Sequence, residues 1–128
     1  MKYLIDTHVL LWALEDSGKI SEKVKGILLD SQNEICLSMA SLWEISIKVG
    51  LGKLELNQSL DSFLDIVESG AFTIFGLETN YCKEQGRLPH IHKDPFDRIL
   101  IATAICEKSI LITADDNIKR YPIPVLWS

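Results

Sequence analysis

Five short apolar runs, separated by helical patterns, constrain this chain more than any other feature. The runs are Tyr3–Ile5, Ile35–Leu37, Phe72–Phe75, Ile110–Ile112 and Val125–Trp127. Each is bounded by polar or turn residues and is too short for a free-standing helix, as buried strands are. Between them, Ile20, Val24, Ile27 and Leu28 recur at i, i+4, i+7 and i+8. Leu60, Phe63, Leu64 and Val67 recur at i, i+3, i+4 and i+7. Each set forms one apolar stripe on a helix, and Gly70 is placed to stop the second. Further helices are expected over Leu42–Val49, ended by Gly50 and Gly52, over Thr79–Gly86, and from Pro95 through Ile105. Strands alternating with helices predict an α/β fold: a mostly parallel central sheet of about five short strands, with helices on both faces. Ligand sites in such sheets form at the carboxyl ends of the strands.

The 128 residues carry no repeat, low-complexity tract or linker, so one domain over 1–128 is expected. The apolar runs fall far short of the roughly 20 residues that span a bilayer. An acid at position 6 interrupts the stretch where a signal peptide needs an apolar core. A soluble, cytoplasmic protein with no membrane partner is the expectation. Cys36, Cys82 and Cys106 are an odd, scattered set, poor as a disulfide framework or zinc signature. They are expected to be small buried hydrophobes. The net charge is −5. A protein that neutralises phosphates with its own side chains is usually basic. To handle nucleic acid, this one needs a metal ion or a local basic cluster.

The acids follow the strands. Asp6 ends the first run, Glu44 lies on the helix after the second, Asp94 and Asp97 open the helix before the fourth, and Asp115 and Asp116 follow the fourth. Singly, each is more readily a cap. Asp6-Thr7 suits a turn or helix cap. Ser41-Leu-Trp-Glu44 suits a capping box. Asp94-Pro-Phe-Asp97 suits N-cap, proline at N1 and acid at N3, and Thr113-Ala-Asp-Asp116 follows the same pattern. Capping does not explain why acids recur after several strands of one sheet. Two unit charges about 4 Å apart at an effective dielectric near 20 repel by about 4 kcal/mol. Converging carboxylates must therefore bind protons or hold a hard cation. Mg²⁺ or Mn²⁺ suits an oxygen-only site beside a phosphate, and the chemistry that follows is metal-assisted phosphodiester hydrolysis. Gly-x-Ser-x-Gly, Walker A, Gly-x-Gly-x-x-Gly and His-Glu-x-x-His motifs are missing.

These residues resemble a family. Tyr3-Leu-Ile-Asp6-Thr7-His8-Val-Leu-Leu-Trp12, Ser41-Leu-Trp43-Glu44-Ile45, His92-Lys-Asp94-Pro-Phe-Asp97-Arg98 and Ile110-Leu-Ile-Thr113-Ala-Asp115 are similar, in order, to the motifs of PIN-domain proteins. The likeness is strongest to the VapC-like ribonuclease toxins of type II toxin–antitoxin pairs, and covers essentially the whole chain. It implies a three-layer α/β/α sandwich, Mg²⁺- or Mn²⁺-dependent cleavage of RNA, a homodimer, and inhibition by a small antitoxin protein. By position, Asp6, Glu44, Asp97 and Asp115 match the catalytic acids. Asp6 and Asp97 are expected as core metal ligands, with Glu44 and Asp115 binding directly or through water.

Around these, Thr7 and Thr113 are candidates to hydrogen-bond a ligand carboxylate or a phosphate, with turn stabilisation as the alternative. Asp94 is either the N-cap that Pro95 suggests or a residue that supports the site or the substrate, and Asp116 is outside the matched pattern. His92 and Arg98 are candidates to touch RNA, although Arg98 is more readily paired with Asp94 or Glu44. His90 and His92 do not share a helix face and make a poor zinc pair. Trp12 and Trp43 are more often core or interface residues than base-stacking platforms. Lys48, Lys53, Lys83, Arg87 and Lys93 form either a basic track or, more simply, part of a mixed solvated surface. Two other functions compete: a catalytically weak PIN fold that binds protein or RNA, and a phosphatase of the haloacid dehalogenase type. The latter wants a second acid two positions after the first, where this chain has His8.

Overall fold

The computed structural model describes residues 1–15 and 18–127. Five strands, β1 (Lys2–Ile5), β2 (Glu34–Ser38), β3 (Thr73–Phe75), β4 (Ile110–Ile112) and β5 (Val125–Leu126), form one sheet in the order β3-β2-β1-β4-β5. Every pairing is parallel. Seven helices connect the strands among the described residues: α1 (Thr7–Leu14), α2 (Glu22–Leu29), α3 (Met39–Gly50), α4 (Leu60–Ser69), α5 (Thr79–Arg87), α6 (Pro95–Glu107) and α7 (Asp116–Lys119).

The period-2 alternation of side chains divides the core into two layers. Tyr3 and Ile5 of β1 pack with Val9, Leu10, Val24, Ile45, Phe63 and Val67, against α1 to α4. Leu4, between them, packs with Cys36, Leu111, Ile101, Ala104 and Ile118, against α5 to α7. The sheet therefore has helices on both faces, as the α/β reading expects. Connections leave β1 towards β2 and β3 on one side, while β4 and β5 lie on the other. That reversal places a crevice between the carboxyl ends of β1 and β4, where open parallel sheets bind ligands.

Several expectations need correction. Helix α1 starts one residue after β1, so Asp6-Thr7 is a helix cap rather than a turn, although the helix behind it was not foreseen. Ser38, not Ser41, caps α3, its hydroxyl accepting from the Ala40 N–H at 3.0 Å. Helix α2 begins at Glu22 behind the Ser21 cap, so Ile20 packs from the preceding segment. Cys36 is buried, but Cys82 and Cys106 are exposed. Among the described residues no helix is long and apolar enough to cross a membrane.

Candidate active site

Asp6 is the single residue between β1 and α1. Its Oδ1 accepts from the Val9 N–H at 2.8 Å, capping α1. Its Oδ2 accepts from the Thr113 hydroxyl at 2.5 Å. Thr113 is fully buried at the end of β4, so this bond closes the crevice between the two central strands. The Thr113 hydroxyl oxygen also accepts from the Asp115 N–H at 3.0 Å. Asp115 in turn caps α7, accepting from the Asn117 N–H at 2.8 Å. Asp116 points away, with 99% of its side chain exposed and a 3.8 Å ion pair to Lys119.

Glu44 comes from α3 and is buried. Its Oε1 accepts from the Thr7 hydroxyl at 2.7 Å. Thr7 has one hydrogen to give, so the Ser41 hydroxyl, 2.9 Å away, must donate to Thr7. Glu44 Oε2 accepts from the Lys48 ammonium at 2.8 Å. Ser41 and Glu44 thus serve this network rather than a capping box.

The third arm is the start of α6. Asp94 Oδ1 caps it, accepting from the N–H groups of Phe96 at 2.8 Å and Asp97 at 3.2 Å. Pro95 sits at N1, where its missing N–H costs nothing. One turn in, Asp97 Oδ2 lies 2.7 Å from His92 Nε2. One ligand atom each from His92, Asp94 and Asp97 lies within 4.8 Å of the others. His92 therefore joins the acids and not His90.

Arg98 is buried and pairs with neither Asp94 nor Glu44. Its guanidinium donates to Gln85 Oε1, to the carbonyls of Gln85, Leu88, Pro89 and His92, and to the Tyr121 hydroxyl. It is a clamp on the loop that carries His92, not a surface for a ligand. Trp12 packs tilted against Trp127, 5.6 Å between ring centres. Trp43 is 58% exposed and meets Phe96 edge-on. Among the five basic residues, Lys48 pairs with Glu44 and Arg87 with Glu84, as a mixed surface would.

Electrostatics link the arms. Burial pushes the Asp97 carboxyl up to about 6, helped by Asp94 and Asp115 and opposed by His92. Burial also raises Asp6, with Asp115 adding to the rise and the Thr113 and Val9 bonds opposing it. Asp115 therefore acts on both, and Lys48 feels Glu44, Asp94 and Asp97. The acids other than Asp116 stand on three arms that feel one another's charge, and among the described residues only His92, Asp94 and Asp97 bring ligand atoms within 4.8 Å of one another. Their donors are mainly carboxylate oxygens around excess negative charge, a set that suits a hard divalent cation. A groove of about 460 Å³ runs off beside it, past His8, Trp12, Lys48 and Lys53. The larger cavity, about 580 Å³, is lined by Trp12, Ile20, Leu28, Ile35 and Phe72 and by none of these acids.

Sequence reasoning undervalued Lys48 and missed the support given by Gln85 and Tyr121. The i,i+4 spacing of Glu44 and Lys48 was a signal for the first. Nothing local in the sequence joins Tyr121 to Arg98.

The family model described as PIN domain matches residues 3–124. No curated protein matches the sequence. Among solved structures, a chain of VapBC2 from Rickettsia felis, bound to a DNA fragment from its promoter, is similar with a TM-score of 0.76, at 24% identity over 100% of both chains. A chain of DNA-bound VapBC from Salmonella typhimurium is similar at 0.70, with 17% identity over 98% of this chain and 97% of that one. A PIN domain endonuclease is similar at 0.57, with 18% identity over 98% and 83%. At these identities the likeness is one of fold.

Proposed function

The chain belongs to the PIN-domain family, and from that premise we propose that it is a metal-dependent endoribonuclease, the toxin of a VapBC-type pair. What supports this reading is the carboxyl edge itself: Asp115 after β4 acts on both Asp6 after β1 and Asp97 on α6, and Glu44 bonds Thr7 beside Asp6. Asp6 and Asp97 are the ligands proposed for Mg²⁺ or Mn²⁺, with Asp115 binding it directly or through water and Glu44, whose two oxygens already hold the Thr7 hydroxyl and the Lys48 ammonium, reaching it through water. Such an ion supplies a more acidic bound water and stabilises charge on the reacting phosphate. The chain's own residues supply the rest. Thr113 and the Val9 N–H fix the Asp6 carboxylate. His92 orients Asp97. One of the four carboxylates takes the proton of the attacking water as it adds to phosphorus and the leaving ribose oxygen departs.

The test is cleavage of mixed cellular RNA by purified, antitoxin-free protein with Mg²⁺, Mn²⁺ or EDTA, beside Asp97→Asn. Metal-dependent cleavage that falls at least about 100-fold in the variant is the expected result. No cleavage by a folded wild-type protein would favour a PIN fold kept for binding protein or RNA.

The partner in this reading is a small antitoxin, supported by the fold shared with VapBC chains. The acidic cleft calls for a basic antitoxin segment. Association should slow markedly as salt rises, measured by stopped flow, and rates indifferent to salt would refute the electrostatic docking. A homodimer belongs to the same reading and is checked by light scattering.

A further inference from the structure

We infer that the Lys48 ammonium is a built-in second cation of the carboxylate cluster, which leaves the site room for a single divalent ion. The inference rests on the metal site proposed above and states its stoichiometry. Lys48 stands one turn after Glu44 on α3, with its Nζ 2.8 Å from Glu44 Oε2. The other oxygen of Glu44 already takes the Thr7 hydroxyl at 2.7 Å. Both oxygens of this buried carboxylate are thus engaged by the chain itself. The Glu44 side chain is 5% exposed and that of Lys48 41%, so the ammonium sits outward of the carboxylate it neutralises. Asp94 and Asp97 also act on that ammonium.

The cluster therefore has two unlike ends. At one, Asp6 is held by neutral donors, Thr113 and the Val9 N–H, and Asp115 stands close enough to act on both Asp6 and Asp97. Among the described residues no ammonium is bonded to Asp6 or Asp115, and the cationic partner nearest that end is the His92 ring, 2.7 Å from Asp97 Oδ2. At the other, Glu44 is already paired with a positive charge. A divalent ion on Glu44 would have to displace the ammonium or share a carboxylate with it, and like charges so close repel strongly. A lysine is suited to the task, being a compact point charge on a flexible stem. Lys48 acts through Glu44 and is a positioning residue.

The experiment counts Mn²⁺ bound per chain by electron paramagnetic resonance, at low salt, on the whole protein and its Lys48→Met and Lys48→Arg variants. Circular dichroism melts check that each is folded. The expected result is one Mn²⁺ for wild type and for Lys48→Arg, and a second for Lys48→Met that is lost again when Glu44→Gln is added. Two ions on wild type, or one on a folded Lys48→Met, would overturn the inference and leave the nuclease reading standing. No ion on wild type would overturn both. Should Lys48→Met fail to fold, Lys48→Gln replaces it with the same expected and overturning counts.

Discussion

Arg98 shows how far a single residue can work from the place its sequence neighbours suggest. It lies in the first turn of an apolar helix, one position after a site acid, yet its guanidinium is buried without a carboxylate. Its charge is met by the carbonyls of Gln85 and Leu88 at the end of α5, where the helix dipole favours a cation, and by Gln85 Oε1, the Pro89 and His92 carbonyls and the Tyr121 hydroxyl. The Tyr121 hydroxyl also accepts from the His92 N–H at 3.1 Å and donates to the Pro89 carbonyl at 2.9 Å. This planar fork of five donors cannot be reproduced by an ammonium. Arg98→Lys should cost about 2–4 kcal/mol in urea unfolding, because several buried carbonyls lose their donors at once. It should also weaken Mn²⁺ binding, since the loop that carries His92 to Asp97 loses its anchor. Stability within about 0.5 kcal/mol of wild type would show that the clamp is idle.

At the level of elements, the sequence was legible wherever an element carries its own signal. The five strands showed because short apolar runs between turn residues have few other folds, and α6 showed because Asp94-Pro95 is a complete start signal. Helix α1 was hidden for a physical reason. Thr7–Leu14 is apolar nearly all round, so it has no stripe, and a one-residue link lets it pass for more strand. The start of α3 was misplaced because Ser38 and Ser41 both precede plausible helix, and only tertiary contact with Thr7 distinguishes them. The four acids were visible from their positions after strands, whereas the Arg98 clamp depends on Tyr121, brought in by the last crossover. The end of α6 makes a prediction of its own. Lys108 closes the helix at φ 52° and ψ 42°, and the Ser109 N–H reaches back to the Ala104 carbonyl at 3.1 Å. This left-handed cap favours glycine. An L side chain pays about 1 kcal/mol there, partly offset by the greater unfolded freedom of glycine. Lys108→Gly should raise stability by roughly 0.5 kcal/mol, seen as a higher urea midpoint at unchanged slope. A lower midpoint would mean that the lysine side chain contributes more than its backbone strain removes.

Across the whole molecule, the carboxyl edge of the sheet sets stability against the site. A chain of net charge −5 holds Asp6, Asp94, Asp97 and Asp115 within reach of one another's charge at the carboxyl edge, and burial makes the charged forms of Asp6 and Asp97 unfavourable. The Asp97 carboxyl titrates near 6 in the folded chain and near its ordinary value of about 3.9 when unfolded. Between those values the native state binds the extra proton, so metal-free stability from this group is present below about pH 4 and is lost as pH rises through 6. Asp97→Asn removes that dependence. Without metal, the variant should match wild type near pH 4 and melt higher at pH 7.5. A divalent ion has the opposite pH sense, because it needs the carboxylates ionised. At a hundred times its dissociation constant it would stabilise wild type by about 2.7 kcal/mol, or roughly 10 °C for a chain this size. That shift should shrink towards zero as pH falls below 5, and it should be nearly absent in Asp97→Asn at any pH. Thermal melts with Mn²⁺ and with EDTA, from pH 4 to 8, measure all of this in one series. A metal shift independent of pH, or one as large in the variant, would place the ion away from Asp97 and break the link between the strained carboxylates and the proposed chemistry.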